Sequence, residues 1–425
     1  MKTLAGSIFT CALDHYFSLP KHGKPRSGQE WTVYAALVAT KNLEKPQVVC
    51  SATGSKCTTT GPEGWCLRDL HAEVLVKRGF QRLLWKEIQS GKLKLLEKYD
   101  SMDASGEKYI LKRHLELHLF ISDSPCGDAT IYRLRNKEMN FTGSKLIKNG
   151  GLVCWNNVSV TREKDQELGQ LRIKSGRSNL DNRRRSTSLS CSDKILKWNL
   201  LGLQGTVLPV HPIRLDSVVV SKDPHAQSIE VQEKALQRAC VDRFNEVLQE
   251  LRQSENAGSL KGNEKYIETL YSQPLRVMVV DKIFECSKSN MVNPFQHRDS
   301  QLELNENGKR RRSSNSTDLT KKKVSPCGFC INWQNEDGVE VLVGTRGTKH
   351  GKKPTTEADY ARISSRLCRA AFYKSHLPNE TNRTRTYRQW KTENSVNSQR
   401  KDIILRTKVM KGWIQSSRDF MLEHS

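Results

Sequence analysis

The sequence predicts an α/β fold in which helices cover a β-sheet. Three observations carry that expectation. Apolar, β-branched runs such as WTVYAALVAT (31–40) read as strands, stretches with one apolar face read as helices, and the two kinds alternate along the chain. At 425 residues the chain is long enough to bury a large core.

Each element has its own signal. After the strand at 31–40, PQVVCSATGSKC (46–57) runs into a glycine turn. A helix fits 69–90: Asp69 is placed to cap it, and Val74, Leu75, Phe80, Leu83, Leu84 and Ile88 largely share one face. HLELHLFISDSPCGDATIYRL (114–134) alternates Leu115, Leu117, Leu119 and Ile121 as a half-buried strand, then passes through Ser-Pro to a helix start at Cys126. DKILKWNLLGLQG (193–205) reads as a helix closed by glycine, IRLDSVVVSK (213–222) as a strand, and 228–251 as an amphipathic helix. Residues 287–325 are polar and poor in apolar side chains, the composition of a disordered basic insertion. VEVLVGTRG (339–347) resumes as a strand, and 357–375 and 393–422 read as helices.

Composition narrows the class. The chain is 36% hydrophobic with a mean hydropathy of −0.64, and it has no apolar run of about 18 residues that could span a bilayer. MKTLAGSIFTCALDHYF is interrupted by Asp14 and His15 and has no small-residue cleavage pattern, so a secretory signal is not expected and an intracellular protein is. Twelve cysteines at irregular intervals favour reduced thiols over a disulfide framework. A net charge of +24 attracts a polyanion, nucleic acid by default, although a buried polyanion would account for part of the excess.

His71-Ala72-Glu73 is the first candidate for chemistry, a metal ligand with an acid/base two residues on. Alone the triplet is weak, because such pairs arise by chance on wet helix faces. Pro125-Cys126 at a second strand end strengthens it: zinc deaminases hold their metal with a His or Cys from one helix start and cysteines from another, while a glutamate handles protons. The usual P-C-x-x-C fails, since Ala129 stands where the second cysteine would be. A tetrahedral catalytic zinc needs a third protein ligand, and spacing leaves Cys57, Cys66, Cys154 and Cys191 open.

HAE (71–73), SPCGDATIY (124–132) and SLSCSDKILKWNLLGLQG (188–205), in that order, resemble the three motifs of the RNA-editing adenosine deaminase family. LPKHGKPRSGQEWTVYAALVA (19–39), TGSKC (53–57) and KSGR (174–177) are similar to its tRNA-acting branch. The resemblance implies a cytidine-deaminase-like three-layer core, with a β-sheet flanked by helices and C-terminal helices enclosing a buried inositol phosphate, all in one domain over 1–425. It implies one catalytic zinc on His71, Cys126 and Cys191, with Glu73 as the proton carrier that helps turn adenosine into inosine. Ser55 and Lys56 match positions that approach the target nucleotide. Lys77, Arg78, Lys194, Lys197, Arg369, Tyr387 and Lys391 match ligands of a structural inositol hexakisphosphate, with Lys401 and Trp413 as further matches.

The implied substrate is tRNA, at adenosine 37 of tRNA-Ala, with no membrane and no obligate protein partner. Thr130 stands where some duplex-editing relatives have arginine, and the stretch from Lys174 to Cys191 lacks their long duplex-opening loop. An already unstacked loop base costs less to extract than a paired one, which suits tRNA. An editor of structured mRNA and a catalytically inactive RNA-binding member are the alternatives. Cys327-Gly328-Phe329-Cys330 is a lone C-x-x-C with no second ligand pair. KRRR (309–312) and KKK (321–323) are similar to a nuclear-localisation signal, or add electrostatic grip on RNA, so nucleus, cytoplasm or both are expected.

Overall fold

The computed structural model describes residues 3–41, 45–99, 106–140, 144–147, 167–174, 186–256, 264–272, 274–292, 324–351, 353–376, 385–393, 398–414 and 419–421. Its centre is an eight-stranded sheet. β1 (Tyr34–Lys41) pairs antiparallel with β2 (Gln47–Thr53) on one side and β3 (Leu115–Ile121) on the other. Beyond β3 the sheet turns parallel through β4 (Ser217–Ser221) and β5 (Arg276–Val280). Beyond β2 it continues antiparallel through β6 (Phe329–Gln334), β7 (Gly338–Val343) and β8 (Thr348–Lys349).

β1 shows why this is a layered fold. Ala35, Leu37 and Ala39 join a core with Leu75, Phe80 and Leu84 of α2 (Ala72–Ser90), whereas Tyr34, Ala36 and Val38 join Ile8, Ala12 and Tyr16 of α1 (Leu4–Ser18). The period-2 alternation therefore feeds two cores, one on each face, and an apolar run with no polar alternation is what a doubly covered strand requires. α2 is closed by Gly91 at φ 68°, the left-handed position where glycine carries no Cβ penalty.

Several boundaries differ from the sequence reading for physical reasons. Asp69 does not cap α2: Asp69–His71 is a short strand paired with Ser55–Cys57, and the helix starts at Ala72, whose N–H donates to Gly54 O. The helix expected at Cys126 shrinks to a 3-10 turn at Asp128–Thr130, because Gly127 sits at φ 109° and the Asp128 carboxylate is taken by Arg238 and the Gly169 N–H. α3 is Cys191–Leu201, ended by Gly202. The helix expected at 228–251 is α4 (Ile229–Gln237) and α5 (Arg243–Asn256) joined by a π turn at Arg238–Asp242.

Residues 357–375 divide into Glu357–Ile363 and α6 (Arg369–His376), because Arg366 reaches the carbonyls of Asn332, Asp337 and Gly338 and holds the intervening chain out of a helix. α7 (Tyr387–Glu393) precedes the expected start at 393, with Ser398–Arg406 following it. α1, for which no helix was expected, is capped by the Thr3 side chain. Inside the predicted insertion, Lys288–Met291 forms a helical turn capped by Ser287, and Ser325–Pro326 pairs with Glu30–Trp31. The stretch 293–323, with both basic runs, lies outside the described residues. Among the described residues no helix is long and apolar enough to cross a membrane.

Candidate metal centre and buried cation cluster

Three chain segments meet at the end of α2. His71 ends the Asp69–His71 strand and is the N-cap residue of α2, Cys126 follows β3 in the Ser-Pro turn, and Cys191 opens α3. His71 Nδ1 lies 3.8 Å from Cys126 Sγ and 3.6 Å from Cys191 Sγ. The three donor atoms all fall within 4.8 Å of one another. Edges of about 3.4–3.8 Å are what a tetrahedron with zinc–nitrogen and zinc–sulfur arms of about 2.1–2.3 Å produces, so donor type and spacing both fit that metal. The Cys191 N–H donates to Cys126 Sγ at 3.3 Å, and a hydrogen bond from the Cys191 side chain holds the Cys126 thiol well below its ordinary range. Burial pushes the Cys191 thiol up.

Glu73 sits on the first turn of α2, only 2% exposed. Its Oε2 has no hydrogen-bond partner among the described residues, and burial raises its carboxyl above the usual range. A buried carboxylate oxygen without a partner is costly unless something not yet present uses it.

The supports of this centre went unnoticed in the sequence. Asp69 accepts from Lys174 at 2.8 Å, from Lys194 and from Ser188, and also receives the His71 N–H at 3.1 Å. Burial alone would raise the Asp69 carboxyl, but the ammonium groups of Lys174 and then Lys194 hold it well below its ordinary value. Cys57, paired with Asp69, brings its thiol within 4.8 Å of His71 and Asp69 donor atoms. At α3, Ser190 caps the helix by accepting from the Asp193 N–H, and Asp193 is S-x-x-D spaced from it, the one support a capping search finds.

Behind each cysteine stands an arginine, Arg238 at the start of the π turn and Arg243 just after its end. Arg238 donates to the Asp128 carboxylate at 2.9 Å and to Ile131 O, steadying the turn after Cys126. Arg243 pairs with Asp193 at 2.8 Å, both fully buried, behind Cys191. Arg243→Leu leaves the Asp193 carboxylate without its cation, and a loss of about 3–5 kcal/mol in denaturant unfolding is expected. Gly127 allows the two cysteine segments to touch: a Cβ there would stand 2.2 Å from Ser190 Oγ. Gly127→Ala is therefore expected to lower bound metal per chain, measured by elemental analysis of the purified protein.

One turn further along α2 the expected polyanion ligands gather. Lys77 and Arg78 of α2, Lys197 of α3, Arg369 at the start of α6 and Lys391 of α7 are half-buried and repel one another. Burial, and then the charge of Lys391 among others, depresses Lys197 to about 7; burial, and then Arg369 and Arg78, depresses Lys391 to about 8. Among the described residues, no acidic side chain offsets the charge of Lys77, Lys197 or Lys391. Tyr387 carries the Arg369 guanidinium 5.9 Å over its ring, and Trp413 carries Lys197 at 4.1 Å. Lys401 adds to the field on Lys197. Lys194, expected in this group, likewise adds to the field on Lys197 and donates to Asp69 and Ser188. Ser55 lies directly opposite His71, and the Lys56 stem packs on Gly344, at the near edge of β7. The C-x-x-C thiols are structural: Cys327 Sγ–H points to Gly23 O and Cys330 Sγ–H to Leu70 O.

The model of the adenosine-deaminase (editase) domain family matches residues 50–265, a span that holds His71, Glu73, Cys126 and Cys191. The tRNA-specific adenosine deaminase 1 of Drosophila melanogaster is 31% identical over 257 residues, 57% of this chain and 60% of that protein. That of Schizosaccharomyces pombe is 33% identical over 51% of this chain and 56% of its own length. A double-stranded RNA-specific adenosine deaminase of Mus musculus is 28% identical over 44% of this chain and 17% of its own. The chain thus spans well under two thirds of the first two relatives. With a match over half its length that contains the whole His-Cys-Cys-Glu constellation, the chain belongs to the adenosine-deaminase (editase) domain family.

Proposed function

We propose that the chain hydrolyses adenosine to inosine in tRNA, at adenosine 37 of tRNA-Ala. The observation that carries this reading is the buried Glu73 carboxylate oxygen, without a partner among the described residues, beside one imidazole and two thiols at metal-binding spacing. His71, Cys126 and Cys191 would hold zinc, which supplies Lewis-acid activation of water by lowering its pKa from about 15.7 towards about 7. Glu73 takes the proton of the attacking water, hands a proton to N1 of the ring, and later protonates the departing amine. Water adds at C6, ammonia leaves, and the base becomes hypoxanthine. Ser55, opposite His71, and Lys56 border the approach of the nucleotide.

Inositol hexakisphosphate is the proposed occupant of the cation cluster. A compact polyanion neutralises cations that are otherwise costly to hold close together away from water. Lys77, Arg78, Lys194, Lys197, Arg369 and Lys391, with Tyr387, would hold it, and it would join α6 and α7 to α2 and α3.

The test is inosine formation in three RNAs: tRNA-Ala, the same tRNA with guanosine at 37, and a long duplex. Inosine in the first alone is expected. Conversion only of the duplex moves the reading to structured mRNA, and conversion of none leaves an RNA-binding member of the family.

A further inference from the structure

β6 carries two successive residues to opposite sides. Cys330 points inward to Leu70 O, on the residue before His71, while Phe329 is half-buried on the outer side. There it meets His22 at 6.1 Å and His350 at 5.1 Å between ring centroids, and the two histidines lie 4.9 Å apart. Both histidines are exposed, and none of the three ring pairs is a parallel stack, so ring faces remain open to a further partner.

The surroundings are of one sign. Residues 20–29 and 344–353 contain no acidic side chain, and they place exposed Lys21 and Lys349 beside the rings. The patch is anchored to the metal side of the fold. Gly23 packs on Ile331 and Val341, Gly347 O accepts from the Leu67 N–H, Thr345 O accepts from Thr58 Oγ1, and Lys56 lies against Gly344. Lys56 therefore stands between this patch and Ser55, which faces His71.

Exposed rings interleaved with cations suit a polyanion that also offers flat faces, which describes unpaired nucleotides. A duplex hides its base faces, and an acidic protein offers charge without stacking. We infer that His22, Phe329 and His350, with Lys56 and Lys349, form a stacking surface for an unpaired RNA base beside the edited nucleotide. This rests on the RNA-deaminase reading.

The experiment measures binding of full-length protein to tRNA-Ala and to a duplex of equal charge, separately from inosine formation. Phe329→Ala and His350→Ala are expected to weaken tRNA binding about 5- to 100-fold each while leaving duplex binding little changed. Phe329→Tyr keeps a ring and should restore affinity, and unchanged metal content and circular dichroism show the variants are folded. Lys349→Ala should lessen the salt dependence, by about 0.7 in the logarithmic slope for a single-strand contact. Equal loss on tRNA and duplex, or no loss on tRNA, overturns the inference. If wild type forms inosine while the ring variants bind tRNA normally, the stacking surface is wrong and the activity right. If wild type forms none but tRNA binding still depends on Phe329, the activity is wrong and the surface right.

Discussion

Glu73→Gln is expected to keep its metal and lose inosine formation by about 10²- to 10⁴-fold under single-turnover conditions. Glutamine preserves the size and burial of the side chain, which is 2% exposed in the wild type, but it cannot accept the proton of the attacking water. Metal content by elemental analysis separates this from a folding defect. The contrast is Cys126→Ala or Cys191→Ala, which removes a donor from the set and should release metal and activity together. Comparable inosine from wild type and Glu73→Gln would end the proposed proton path.

The second large effect is expected from the cation cluster. Without an anion, Lys197 titrates at about 7 and Lys391 at about 8, against an ordinary 10.5 that they recover on unfolding. Between these values the unfolded chain binds more protons, so stability of the anion-free protein rises with pH across that window. Below pH 7 both lysines are charged in the fold and the repulsion is fully present. A bound polyanion keeps them charged at every pH in this range, so binding takes up protons above the depressed values. Its affinity then falls by up to about tenfold per pH unit for each lysine between pH 8 and 10.

Protein refolded with inositol hexakisphosphate should therefore melt higher than protein refolded without it, and the gap should be wider at pH 6.5 than at pH 9.5. At a thousandfold excess over the dissociation constant the gain is about 4 kcal/mol. Arg369→Gln with Lys391→Gln should narrow the gap. A gap that is absent, or constant with pH, would remove the polyanion from the cluster.

The sheet was legible where apolar residues run without interruption, because a strand covered on both faces needs no polar positions, as 31–40 shows. The candidate site was legible for a different reason: zinc chemistry demands particular residue types, and His71, Glu73 and Cys126 are those types, while the family resemblance and not the spacing picks Cys191 from four open cysteines. What escaped was decided by partners distant in sequence. Asp69 looks like a cap because Asp often caps, yet Lys174 and Lys194 claim its carboxylate. The helix expected at Cys126 fails because Asp128 answers to Arg238, 110 residues away. Lys194 follows the family pattern of a polyanion ligand, and its hydrogen bond to Asp69, 125 residues away, carries no signal in that pattern. α1 was invisible because its chain was weighed only as a possible export signal.

The π turn at Arg238–Asp242 sets the phase of everything after it. On a regular α-helix two residues five apart point about 140° away from each other. Here the Arg243 N–H closes on Arg238 O, one residue beyond the usual partner, which stacks the second arginine a full turn above the first. Winding this stretch into a regular α-helix with every residue kept would swing Arg243 off Asp193. The centre's order thus depends on a helical irregularity, and a search for thermostable variants that repairs it would loosen Cys191.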